Sequence, residues 1–269
     1  MSPIAFPTSN YMTRQMGFRA TGGLGPAEAE ARTYYAPVDS FGERFQDMLR
    51  QIKSLGFDSI DLWTGHLGWS WATNEHMRQA VDILQQQGIA VASLCGQLGE
   101  SLDEFETSCR LAAELGSALL ITRGASASSA KPLPSLIPVL KDFGLRLAVC
   151  NRPEDKTTAL QLAAVSLPSE GRIGTSLDTG AYAANGYDPR LALTNLGDTL
   201  LHVRLADVRA IGNPENCELG TGIVDYRGCL ADLAQLKYTG PISIANEPPD
   251  YDPSAECAAG LRKLQEWLG

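Results

Sequence analysis

Six times in this 269-residue chain a glycine stands just ahead of a short apolar run: Gly56 before Ser59-Ile-Asp-Leu62, Gly88 before Ile89-Ala-Val91, Gly116 before Ala118-Leu-Leu-Ile121, Gly144 before Leu145-Arg-Leu-Ala-Val149, Gly171 before Ile173, and Gly240 before Ile242-Ser-Ile244. Each follows a stretch of helical spacing, so each reads as the left-handed residue that ends a helix and turns the chain into a buried strand. Ile4-Ala-Phe6 and Leu200-Leu-His-Val-Arg-Leu205 add two more strands. Eight strands, each followed by a helix-patterned stretch, within about 250 residues predict an α/β chain folded as a single (β/α)8 TIM barrel over 1–269.

Bulk properties agree with one large core and exclude several partners. The chain is 44% hydrophobic, enough for a single domain of this length. A net charge of -9 leaves no positive field to gather a phosphate backbone, so nucleic acid is not an expected partner. No window approaches the roughly 20 apolar residues that cross a bilayer, and no basic-then-apolar leader opens the chain. The expected setting is cytoplasmic, without a membrane. The six cysteines, Cys95, Cys109, Cys150, Cys217, Cys229 and Cys257, form no C-x-x-C pair and read as small buried hydrophobes. A homo-oligomer is compatible with the sequence, which has no feature that requires one.

Helix starts support the same register. Ser40-Phe-Gly-Glu43 and Ser101-Leu-Asp-Glu104 have the form of capping boxes. Asp188-Pro189 and Asp252-Pro253 read as N-cap and first-turn pairs. After Ser40, apolar residues at Phe41, Phe45, Met48, Leu49, Ile52 and Leu55 mark one helical face. His76, in Thr73-Asn-Glu-His76, is expected on the surface of a first helical turn. One connection is out of scale: about 7–38, after the first strand, reads as a long loop and a partial lid over the barrel mouth.

Chemistry in such a barrel sits where strands end, and side chains alternate along a strand. If Leu147 and Val149 face the helices, Cys150 and Arg152 point into the mouth. The same parity brings in Asp178, then His202 and Arg204, then Ala245 and Glu247. Arg123 follows on the fourth strand, and Asn246 lies next to Glu247. After the second strand, Leu62-Trp-Thr-Gly-His-Leu-Gly-Trp-Ser-Trp71 offers Trp63 and His66 for contact with a sugar face, or simply for packing.

These strand ends carry a resemblance. Asp178-Thr-Gly180, Asn185-Gly-Tyr-Asp-Pro189, His202-Val-Arg-Leu-Ala-Asp207, Leu219-Gly-Thr-Gly-Ile-Val-Asp225 and Gly240-Pro-Ile-Ser-Ile244, with the opening Gly56-Phe-Asp-Ser-Ile-Asp-Leu-Trp63, resemble the xylose isomerase-like TIM-barrel family of sugar isomerases and epimerases. The resemblance implies a divalent metal held by Glu, Asp, His and Glu on strands five to eight, the glutamates also moving protons beside a carbonyl. Only Asp178 matches that set. The other three positions fall on Cys150, Arg204 and Ala245, so no cofactor or metal is expected. Arginine stays protonated and cannot be a ligand. Should a metal bind nonetheless, Cys150, His202 and Glu247 are the residues that could rebuild a site.

Two function classes follow. One is a metal-independent isomerase, epimerase or lyase acting on a sugar or sugar-derived hydroxycarbonyl compound. In it Asp178, Arg204 and Glu247 are catalytic, while His66, Trp63, Arg123, Cys150, Arg152, His202 and Asn246 contact substrate. The other is a noncatalytic sugar-binding or subunit-type relative. A third class, DNA repair by the apurinic endonucleases that share the fold, is excluded: three histidines and an acidic chain supply neither a trinuclear zinc site nor a DNA face.

Overall fold

The computed structural model describes residues 2–19, 24–123, 133–151, 163–164 and 170–268. Eight parallel strands close into a barrel: β1 (Ile4–Pro7), β2 (Ser59–Trp63), β3 (Ala90–Cys95), β4 (Leu119–Arg123), β5 (Arg146–Cys150), β6 (Ile173–Asp178), β7 (Leu200–Leu205) and β10 (Ile242–Ile244), with β10 between β7 and β1. Two short strands, β8 (Asp207–Val208) and β9 (Asn216–Cys217), pair antiparallel on the loop that leaves β7. All eight barrel strands start within one residue of their expected positions.

The glycine punctuation holds at five of its six positions. Gly56, Gly88, Gly116, Gly144 and Gly171 have φ of 99°, 61°, 74°, 69° and 76°. Gly240 does not take a positive φ; Lys237 turns the chain there, at φ 52°. Gly240 is needed for a different reason, since a Cβ on it would stand 2.7 Å from the carbonyl oxygen of Leu201.

Two apolar layers follow from strand parity. Leu147, Val149, Val203 and Leu205 join the large core between barrel and helices. Leu119, Ile121, Ala148, Cys150 and Leu201, with Cys95 against them, form a separate cluster inside the barrel. The helix Val38–Ser54 buries Phe41, Phe45, Met48, Leu49 and Ile52 against the outer layer, a contribution of roughly 2 kcal/mol per side chain before ordering costs.

Local signals fare unevenly. Ser101 and Glu104 make the expected capping box, and Asp188 accepts from Arg190 N at 2.9 Å. The Ser40 box does not form: the helix starts earlier, at Val38 after Pro37, and the Ser40 hydroxyl turns back to the Pro37 carbonyl. His76 is not a surface residue. Its Nδ1 accepts from Thr73 N at 3.1 Å and its Nε2 donates to Ala36 O at 3.0 Å, leaving it 2% exposed. The imidazole takes the part usually played by a glutamate in the capping box. Nor is the segment after β1 a structureless loop. It forms two 3-10 turns, Thr8–Tyr11 and Arg14–Met16, and then the helix Leu24–Tyr35, and Met12, Ala27 and Ala31 pack onto Trp63.

Candidate active site

The site is built in two storeys inside the barrel. The lower one is a fully buried polar layer. Asp61 on β2 accepts from Ser93 Oγ of β3 at 2.7 Å and from His202 Nε2 of β7 at 3.1 Å. Ser243 of β10 lies 2.7 Å from the same Nε2 and makes a short hydrogen bond to Asp61, while Ser176 of β6 meets His202 Nδ1 at 2.8 Å. Burial alone would raise the Asp61 carboxyl pKa; the facing His202 and the hydroxyl donors outweigh it and hold the pKa below the usual carboxylate value. Buried polar groups in such a network are affordable only because each has its partners. His202 is thus placed below the mouth, with both ring nitrogens engaged. Asp61 was not singled out from the sequence, though alternation along Ser59–Trp63 would have turned it inward.

The upper storey is a guanidinium between two carboxylates. Arg204, two residues along β7 from His202, places Nε 3.1 Å from Asp178 Oδ2 and Nη2 2.5 Å from Glu247 Oε1. Asp178 and Arg204 are register partners on β6 and β7, and Arg204 is in turn opposite Ser243 on β10. Burial would lower the arginine pKa, but Glu247 and then Asp178 outweigh it and raise it further, so the cation is permanent.

Each carboxylate is itself positioned. Asp178 closes β6 and caps the helix Thr179–Ala184, its Oδ1 accepting from Ala181 N at 2.9 Å. The side chain of Asn151 clasps the Asp178 backbone, accepting from its N at 2.8 Å and donating to its O at 3.0 Å. Glu247 donates its backbone N–H to Asn216 Oδ1 at 3.2 Å. Asn216 sits on the loop after β7, and that loop is pinned by Asp207, whose buried carboxylate accepts from the amides of Val208, Gly220, Gly222 and Val224 at 2.8–3.0 Å. In the sequence Asp207 and Gly220 stand 13 residues apart, with no local signal that they meet.

The remaining expected contacts are distributed as follows. Cys150 lines the barrel interior. Asn246 is buried beside Glu247, its Nδ2 donating to Glu256 and its backbone N–H to Asn10 Oδ1 at 2.9 Å. Trp63 and Tyr35 pack edge-on around His66, with ring centroids 5.0 and 4.9 Å away. Burial in this cage pushes the His66 pKa down to about 3, aided by the charge of Arg14. Arg123 closes β4, and Arg152 lies outside the described residues. A groove of about 450 Å3 beside Leu84, Gly88 and Leu115 opens at the opposite end of the barrel, where strands begin, and plays no part in this site.

With that geometry in view, comparison with known proteins gives a family. The model of the xylose isomerase-like TIM barrel matches residues 49–268. The chain belongs to this family. No curated protein matches it. Among solved structures, a D-tagatose 3-epimerase-like protein is 16% identical with a TM-score of 0.66, over 81% of this chain and 92% of that one. The 3-keto-D-glucoside 4-epimerase YcjR from E. coli is 17% identical, TM-score 0.66, over 82% and 94%. The IOLI protein with a zinc atom bound is 13% identical, TM-score 0.69, over 98% and 96%. At these identities the likeness is one of fold.

The metal that a xylose isomerase-like barrel implies does not fit the residues of this member. Of the ligand set that the resemblance implies only Asp178 has a counterpart in the sequence, and its carboxylate and that of Glu247 both lie against the guanidinium of Arg204. A hard dication requires several oxygen or nitrogen ligands and is repelled by a fixed cation in contact with them. Among the described residues no cluster of three histidine, cysteine or acidic side chains is placed to hold a metal ion.

Proposed function

We propose that this protein is a metal-independent isomerase or epimerase acting on a sugar or a sugar-derived hydroxycarbonyl compound. The observation that carries the reading is the Asp178–Arg204–Glu247 arrangement in the barrel mouth. A carbonyl oxygen entering beside Arg204 displaces the Glu247 carboxylate from the guanidinium. Glu247 then takes the proton from the carbon next to the carbonyl, the C–H electron pair forms the enediolate, and its negative oxygen stays on Arg204. Return of the proton to the former carbonyl carbon, with the proton of the neighbouring hydroxyl passing to the oxygen held on Arg204, completes an isomerisation; delivery of a proton to the opposite face of the same carbon, with the carbonyl re-formed at its original oxygen, completes an epimerisation. Asp178, held as a helix cap, keeps Arg204 in place.

A noncatalytic sugar-binding protein is the competing reading, and the engagement of both carboxylates by one guanidinium speaks for it. Proton exchange separates the two. Ketoses, inososes and 3-keto-glycosides are incubated with the protein in D2O containing EDTA, and deuterium at the carbon next to the carbonyl is followed by NMR. The enzyme reading expects incorporation that survives EDTA and is lost in Glu247→Gln. Binding without incorporation for every compound transfers the assignment to the noncatalytic reading.

A further inference from the structure

Both carboxylates against Arg204 lie where a barrel strand runs out of paired neighbours. In a parallel ladder alternate residues turn their N–H and C=O to the same side, so the rungs can be followed past the last pair. On β10, Ile242 N donates to Pro3 O at 2.9 Å toward β1, while Ala245 N donates to Leu205 O at 2.9 Å toward β7. Ile244 and Asn246 therefore face β1, and Glu247 faces β7. By the same count the next donor to Ile244 O is the nitrogen of Pro7, which carries no hydrogen. Asn10 supplies that rung instead. Its Nδ2 donates to Ile244 O at 3.0 Å and its Oδ1 accepts from Asn246 N at 2.9 Å, so one side-chain amide replaces a peptide. Asn10 is 2% exposed, and its Nδ2 also lies 3.3 Å from Cys257 Sγ on the helix Ser254–Leu268. The same replacement recurs at the other carboxylate. Leu147 N donates to Arg172 O at 2.8 Å, which turns Asp178 toward β5, and there the Asn151 side chain takes both its N–H and its C=O. The β7-facing rung of Glu247 goes to Asn216.

We infer that Asn10 is a positioning residue for Glu247: its amide makes the rung that Pro7 cannot make and fixes the run Ala245–Asn246–Glu247 from which the carboxylate meets Arg204. Asparagine suits the task because it offers a donor and an acceptor in one plane, as a peptide does; aspartate has no donor there when ionised. The run is gripped from both neighbouring strands, by Asn10 at Asn246 N and by Asn216 at Glu247 N. Without Asn10, Ile244 O and Asn246 N lose their partner in a buried place, and the remaining side-chain hold on the Glu247 backbone is the 3.2 Å bond to Asn216. Glu247 then no longer meets Arg204 in one fixed geometry. A misplacement of about 1 Å at a reacting group costs on the order of 100-fold in rate. The inference goes beyond the proposed function and rests on its reading of Glu247 as the base, so its test keeps the two apart.

The test follows backbone amide hydrogen exchange by NMR in the whole chain. In Asn10→Ala the amides of Asn246 and Glu247 are expected to exchange at least about tenfold faster than in the parent, while the Asp178 amide, held by Asn151, keeps its rate. Ser101→Ala, a remote helix-cap variant that also lowers stability, should change none of the three. Acceleration at Asn246 alone, or equal acceleration at Asp178, overturns the inference. If Asn10→Ala does not fold, the parent decides. Its Asn246 and Glu247 amides are expected to open as one unit, with protection factors within about threefold of each other at every denaturant concentration; separate openings overturn the inference. Turnover is read independently in the deuterium assay. In Asn10→Ala kcat should fall about tenfold or more while KM stays within about twofold, and an unchanged kcat or a loss confined to KM overturns the positioning role. A parent that incorporates no deuterium sinks the proposed catalysis alone, and the amide rates still decide whether Asn10 places Glu247.

Discussion

Arg204 is the residue on which the chemistry turns. A structural ion pair and an oxyanion clamp differ in their tolerance of Arg204→Lys. Lysine keeps the charge and loses the planar fork that reaches Asp178 and Glu247 together. The expected outcome is a folded protein, destabilised by no more than about 1–2 kcal/mol in denaturant titration, whose turnover falls on the order of 100-fold or more. Arg204→Met, by contrast, leaves two partly buried carboxylates with no cation between them and should cost about 3 kcal/mol. Strand parity made this trio legible in the sequence, because it needs only the period of two. Parity turns Asp61 and His202 inward but does not show that they meet, since they lie 141 residues apart in the chain. His66 was legible as a site residue but not in its state, since burial is a property of what folds over it. Its pKa is about 3 in the fold against 6.5 when unfolded. The unfolded chain therefore binds the extra proton between pH 6.5 and about 3, and stability falls as pH falls through that window. The depressed Asp61 carboxyl acts in the same direction lower down, its contribution present above the ordinary carboxylate range and lost as acid titrates it. Thermal melts of His66→Phe should show a flatter pH dependence between 6.5 and 4 than the parent; parallel curves would contradict the assignment.

At the scale of elements, capping boxes and glycines were readable where the local signal had no competitor. Ser101 satisfies the first turn of Leu102–Glu114 as written, and Ser101→Ala should cost about 1 kcal/mol. Ser40 lost to an earlier start after Pro37, and His76 took a capping role because the helix Val38–Ser54 and Ala36 bury it. The loop after β7 shows what sequence order hides. Gly222 lies against Asp207, and an added Cβ would stand 2.2 Å from Val208 O and 2.4 Å from Asp207 Oδ1. Gly222→Ala should therefore loosen the loop that carries Asn216, the partner of the Glu247 backbone. We expect a lower melting temperature together with weakened sugar binding. An unchanged melting temperature with full activity would show that the loop does not position Glu247.

For the whole molecule, the fold followed from punctuation and alternation, and the family model covers residues 49–268. Among the described residues no helix is long and apolar enough to cross a membrane. The proposed function rests on a fixed organic cation, Arg204 between Asp178 and Glu247, taking the part of the inorganic one that the resemblance implies. Elemental analysis tests that claim most directly, on protein purified after growth with added zinc, manganese and cobalt. The account predicts far less than one metal per chain, with the same trace level in Asp178→Ala. A near-stoichiometric metal that disappears in Asp178→Ala would contradict it and point to Cys150, His202 and Glu247 as a rebuilt ligand set.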